Sequence, residues 1–207
     1  MLVLKEAGLV YLANPKTATQ AVRAMLAPHA KAASFGMEAR HMNAFGFHKN
    51  WRAKVEARLG RPVETVAVMR EPRSHMESWF RYRQRAELAG HENSTAGLSF
   101  ADFVRGRLAK APPAFAQVGR QDRFLGFLDA GPPVMHIFDY ARLDLLVSFL
   151  SDRLGTDLVL QRRNESPAAA DRLDLPKGLE DRYRKAHATE FAIYERVAEA
   201  GVLVTRV

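Results

Sequence analysis

Twice in this chain a short apolar run enters a turn holding a proline and a basic residue, then passes at once into a helical pattern. The first instance is "LVYLANPKTATQAVRAML", Leu9 to Leu26; the second is "VETVAVMREPRSHMESWF", Val63 to Phe80. Short apolar, β-branched runs bounded by turn formers read as strands, and the segments after them have helical composition. Strands alternating with helices imply an α/β domain, a parallel β-sheet flanked by helices. In such sheets ligands gather at the carboxyl ends of the strands, which is where Lys16 and Arg70 fall.

The rest of the chain fits this scheme. Leu9–Asn14 reads as a buried strand and Thr19–Ala30 as its helix, with a second weak strand near Ala32–Phe35. Asn50–Gly60 has helical composition with Gly60 as its stop, and Val63–Met69 is the clearest strand. His75–Leu88 reads as a helix. Residues 90–119 are more polar, carry Pro112 and Pro113, and hold one short helix candidate, Ser99–Ala109; they suit a lid or acceptor-binding segment. Pro133–Tyr140 is a strand candidate. Ala141–Gly155 is an amphipathic helix with Leu143, Leu146, Val147 and Leu150 on one stripe and Gly155 at its end. Pro176–Ala200 is helical again, and no linker divides residues 1–207, so one domain is expected.

Charge and cysteine content narrow the chemistry. The 31 Lys and Arg against 23 Asp and Glu leave a net charge of +8, which favours polyanionic partners. With no cysteine, thiolate nucleophiles and disulfides are excluded, and a reducing compartment is consistent. The opening "MLVLKEAGLVYL" has Lys5 and Glu6 inside its apolar run, so it reads as neither a signal peptide nor a spanning helix; a cytoplasmic location is expected.

Both turns suit anions. A helix starting near Thr17 or Thr19 offers unpaired backbone N–H groups and the positive end of its dipole. Lys16 adds an ammonium, and Thr17 and Thr19 add hydroxyls. The loop departs from the triphosphate-binding pattern G-x-x-x-x-G-K-[ST], because Val10 and Pro15 occupy the glycine positions. It suits one phosphate better than three. In the second turn Arg70 leaves the strand, Pro72 opens the helix, and Ser78 follows about two turns later, within an arginine's span. A guanidinium fork suits a doubly charged phosphate. The plain alternatives are a capped helix with a solvated Lys16, and an Arg that merely caps a strand.

Taken together, "NPKTATQAV" and "REPRSHMESWF" resemble the two cofactor signatures of the PAPS-dependent sulfotransferases. The first is similar to the 5′-phosphosulfate loop around P-K-T-[GA]-[ST]. The second is similar to the 3′-phosphate motif R-[DE]-P-x5-S-x-[YF], with Arg70, Glu71, Pro72, Ser78 and Phe80 in register. "RHMNAFGF", "LSFADFV", "QDRFLG", "HIFDYARLDLLVSFLSDRLG" and "RNESP" resemble stretches of the carbohydrate-type branch in the same order. Gln20 and Asp139-Tyr140 depart from that branch's usual residues.

The resemblance implies a P-loop nucleotide hydrolase-like sulfotransferase fold and PAPS as sulfate donor, with no metal. It implies that Pro15, Lys16, Thr17, Ala18, Thr19 and Gln20 hold the 5′-phosphosulfate, that Arg70 and Ser78 hold the 3′-phosphate, and that Arg163, Asn164 and Ser166 line the cofactor or acceptor side. Lys16 would neutralise the bridging oxygen as PAP leaves. An alcohol or amine acceptor, glycan-like or another small molecule, must lose a proton, and histidine suits that task near neutral pH. His41 is the favoured base, with His48 and Glu38 as alternatives. The competing readings are an ATP-dependent small-molecule kinase, which would bring a Walker glycine pair, and a non-catalytic PAP- or nucleic-acid-binding relative. Dispersed cations without interleaved aromatics argue against nucleic acid.

Overall fold

The computed structural model describes residues 1–30, 41–129, 131–161 and 173–205. The weak strand expected at Ala32–Phe35 lies outside them, as do Glu38, Arg163, Asn164 and Ser166. Among the described residues five strands form one sheet in the order β1 (Leu2–Leu4), β2 (Leu9–Tyr11), β3 (Glu64–Met69), β4 (His136–Asp139) and β5 (Val202–Val204). The pairs β2–β3 and β3–β4 are parallel; β1–β2 and β4–β5 are antiparallel. The expected α/β architecture with a parallel sheet therefore holds at the centre, and an antiparallel strand at each edge makes the whole sheet mixed. The reason on one side is the turn from Lys5 to Gly8, too short for a crossover, so β1 folds back on β2 as a hairpin. Gly8 enables that turn at φ 65.

Period-two alternation sends side chains to two cores. On one face Val3, Val10, Leu12, Ala67, Met69 and Ile137 pack beneath Phe47 of α2 (Ala44–Asn50), Val55 of α3 (Arg52–Leu59) and Ile193 and Val197 of α9 (Ala188–Ala200). On the other, Leu9, Tyr11, Val66, Val68 and Phe138 pack against Val22 and Leu26 of α1 (Thr19–Leu26) and Leu146 and Leu150 of α7 (Leu143–Leu154). Fully burying side chains of this size stabilises by about 1.5–3 kcal/mol each.

A third apolar cluster joins α4 (Pro72–Arg83), α5 (Phe100–Arg107) and α8 (Lys177–Ala186) through Met76, Phe80, Phe100, Phe103, Leu179 and Tyr183. This cluster steadies the helix that follows β3. Pro72 opens α4 and the Glu71 carboxylate caps it, accepting from the Ser74 amide at 2.6 Å. The helix thus starts earlier than its apolar pattern suggests. The helical stretch expected at Asn50–Gly60 is α3, preceded across Trp51 by α2, which the sequence pattern did not announce; the helical stretch expected at Pro176–Ala200 is broken at His187. Gly60 and Gly155 terminate α3 and α7 in left-handed conformations, at φ 69 and φ 64.

Candidate functional site

Because β2 and β3 are adjacent and parallel, the loops that leave their carboxyl ends emerge side by side. The first loop prolongs the ladder before it turns. The Leu12 amide donates to the Val66 carbonyl at 2.8 Å, and Asn14 Nδ2 donates to the Val68 carbonyl at 2.9 Å. The buried Thr17 hydroxyl then donates back to the Asn14 carbonyl at 2.8 Å, closing the turn. Thr17 therefore uses its one hydroxyl hydrogen within the loop instead of offering it outward. Lys16 and Ala18 take φ values of 65 and 57 without being glycine. Each such residue costs about 1–2 kcal/mol. Among the described residues no acceptor takes the amide hydrogens of Lys16, Ala18 or Thr19, while the turn at Pro15–Lys16 points the Thr17 amide back toward the Asn14 carbonyl. Ala18 begins α1 with no side-chain cap. Successive free amides in such a turn form a concavity suited to an anion.

Cations gather at this concavity. Lys16 Nζ lies 4.3 Å from the centre of the Tyr82 ring and 5.9 Å from that of Trp79, and the Arg85 guanidinium lies 5.1 Å from the Tyr82 ring. Burial, and then repulsion from Arg85 and Arg70, pull the Lys16 ammonium down to about 8. Arg70 Nε donates to the Ser74 hydroxyl at 2.8 Å, and Nη1 donates to the Lys16 carbonyl at 3.4 Å. Its guanidinium sits 4.5 Å from the centre of the Tyr140 ring. Burial lowers the Arg70 pKa as well. Among the described residues no carboxylate stands within ion-pair distance of Lys16, Arg70 or Arg85. Ser78 lies one turn beyond Ser74 on the same face of α4, so Arg70 rests on the nearer of two serines.

Beneath both loops runs a buried polar network that has no local sequence pattern. Gln121, on the short helix α6 (Gln121–Phe124), is fully buried. Its Oε1 accepts from the Arg70 amide at 3.0 Å and from Asn14 Nδ2 at 3.1 Å. Its Nε2 donates to the Arg70 carbonyl at 2.8 Å and to Glu190 Oε1 at 3.2 Å. His187 Nδ1 lies 3.1 Å from the other Glu190 oxygen. Burial pushes the Glu190 pKa up, but the His187 hydrogen bond and nearby His75 outweigh it and leave it lowered. His75 Nε2–H donates to the Pro15 carbonyl at 3.0 Å, tying α4 to the first loop; burial pulls its pKa down to about 4. No model of a known protein family matches the chain, and no curated protein matches it.

The two histidine candidates occupy different settings. His41 Nδ1 lies 2.8 Å from the Ala13 carbonyl at the mouth of the first loop. Nδ1–H donates there, which leaves Nε2 with its lone pair on the neutral ring. His48, on α2, accepts at Nδ1 from Arg52 Nη1 at 3.3 Å, and its Nε2 is buried without a partner. Burial and the Arg52 charge lower its pKa. Its lone pair is thus engaged by a cation. Gln20 is exposed on the first turn of α1, and Pro15 and Thr19 are half-buried. The 90–119 segment is fastened to α4: Arg83 donates to the Ala114 and Gln117 carbonyls at 2.7 and 2.8 Å, and the Thr95 hydroxyl donates to the Phe80 carbonyl at 2.9 Å. Among the described residues no group of three or more His, Asp or Glu is placed to hold a metal ion, and no helix is long and apolar enough to cross a membrane.

Proposed function

We propose that the chain is a PAPS-dependent sulfotransferase of P-loop-like fold, transferring a sulfuryl group to a hydroxyl or amine of a glycan-like or small-molecule acceptor and releasing PAP. The observation that carries this reading is the meeting of two loops with anion-binding chemistry. Free amides and Lys16 stand on one loop and Arg70 stands on the other; Arg70 touches the Lys16 carbonyl, and neither cation has a carboxylate partner among the described residues. One anion on each loop, joined in a single ligand, would satisfy both. That agrees with the two quoted motifs and with the absence of the glycines a triphosphate loop carries.

In this reading the amides of Lys16, Ala18 and Thr19 hold the 5′-phosphosulfate, and Arg70, resting on Ser74, holds the 3′-phosphate with Ser78 one turn further along α4. PAPS supplies the activated sulfuryl group. Lys16 sets positive charge where the leaving oxygen gains negative charge, the role in which a pre-placed cation contributes most in a site shielded from water. His41 Nε2 accepts the acceptor's proton. Fixing both ends of the donor orients its reacting end for in-line transfer.

Thermal shifts with PAP, PAPS, ATP and ADP, measured on the wild type and on Arg70→Ala, test the reading. PAP should stabilise the wild type well above ADP, and Arg70→Ala should erase the difference. Equal shifts for PAP and ADP on the wild type would sink the assignment.

A further inference from the structure

We infer that Gln121 is a positioning residue that sets the spacing of the two anion-holding loops, so that a ligand with two separated anionic groups is recognised as one unit. The inference rests on the reading above. Its basis is the pattern of bonds made by one side chain. The Gln121 amide exchanges two hydrogen bonds with the backbone of Arg70, accepting from its N–H at 3.0 Å and donating to its carbonyl at 2.8 Å. That is how a neighbouring strand would pair with it. The same Oε1 also accepts from Asn14 Nδ2, two residues before Lys16, at 3.1 Å. Asn14 in turn grips the Val68 carbonyl on β3 at 2.9 Å. Where β2 and β3 stop pairing through their backbones, the two side chains take over.

The amide is itself fixed from behind. Glu190 Oε1 accepts from both the backbone N–H and the side-chain Nε2 of Gln121, at 3.1 and 3.2 Å. Only a side chain with a donor and an acceptor at one end completes this set, so the orientation of the amide is determined by its partners. Gln121 itself is fully buried. It therefore acts on the ligand only through Asn14 and Arg70. Fixing two subsites at a set distance converts the second contact into an intramolecular one, which is the source of the preference for a doubly anchored ligand.

The test compares affinities for PAP and for 5′-AMP, which lacks the 3′-phosphate, on the wild type, Gln121→Met and Asn14→Ala, with calorimetry and unliganded melting curves. The wild type should prefer PAP. Gln121→Met should cut the PAP-to-AMP affinity ratio roughly tenfold while leaving AMP binding within about twofold, because each half-site survives and only their spacing loosens. Asn14→Ala should shift the ratio in the same direction, and the double variant should be no worse than Gln121→Met alone. If Gln121→Met does not fold, Asn14→Ala decides. A ratio unchanged in the folded variants, or PAP and AMP weakened equally, overturns the inference. A wild type without preference for PAP overturns the proposed function instead, and the inference falls with it.

Discussion

His75 gives the sharpest test of how the first loop is held. It is 3% exposed, packed edge-on against Trp79 at 6.4 Å between ring centres, and bonded through Nε2 to the Pro15 carbonyl. The charges that face it are Glu190 from α9, which favours protonation, and Arg70 and Lys16 from the two loops, which oppose it. Burial dominates and takes the ring from 6.5 to about 4. The folded protein thus binds fewer protons than the unfolded chain between those values, and stability rises with pH across that window. The contribution is complete above about pH 6.5, and it disappears progressively as pH falls toward 4. At about 1.4 kcal/mol per unit, the full difference is about 3 kcal/mol. Replacing His75 with Gln keeps a donor near Pro15 and removes the titration. Urea unfolding of both proteins at a series of pH values from 4 to 7, followed by tryptophan fluorescence, reads the effect. The wild type should lose about 3 kcal/mol more than the variant between pH 7 and pH 4, with unchanged denaturant slopes. His48, also lowered, titrates in both proteins and cancels. Parallel stability profiles would refute the claim that His75 is buried neutral beneath the loop.

Three further outcomes are expected. His41→Ala should leave PAP binding intact in calorimetry while sulfuryl transfer drops by about 100-fold or more, the usual worth of a general base; surviving turnover would place the base elsewhere. Arg83→Met removes two hydrogen bonds to the carbonyls of Ala114 and Gln117. It should cost about 1–3 kcal/mol and expose the 90–119 segment to limited proteolysis. Ala18→Gly relieves the left-handed strain at φ 57 and should be neutral or stabilising by under about 1 kcal/mol, whereas Ala18→Val should destabilise by about 1–2 kcal/mol in the same melting assay.

What could be read in the sequence was whatever follows from local periodicity. Val63–Met69 announces β3, and the stripe through Leu146 and Leu150 announces α7, because each needs only a window of neighbours. The outer strands, Leu2–Leu4 and Val202–Val204, escaped: each is three residues, as β2 is, but neither is followed by the turn and helical pattern that marks β2. Gly8 and Gly201, both with positive φ beside those strands, were the signals available. At the site, Lys16 and Arg70 stood out through turn chemistry and motif. Gln121 and Glu190 did not, since the partners of Gln121 lie between 51 and 107 residues away and the local His187–Glu190 pair does not by itself distinguish a clamp from any helix-end ion pair. Ser74 was passed over for Ser78 because the side chain of Arg70 folds onto the nearer turn.

The setting of Lys16 has a calorimetric consequence. With its ammonium brought down to about 8 by burial and by Arg85 and Arg70, about half the molecules at pH 8 carry a neutral amine. An anion arriving on the loop restores the preference for charge, so capture draws about half a proton from the buffer at that pH and progressively less below it. The observed heat of binding will then track the ionisation enthalpy of the buffer, and affinity will fall as the solution becomes more alkaline. Occupancy of the loop becomes a proton-coupled equilibrium, in which this one amine connects the ligand to the acidity of the medium.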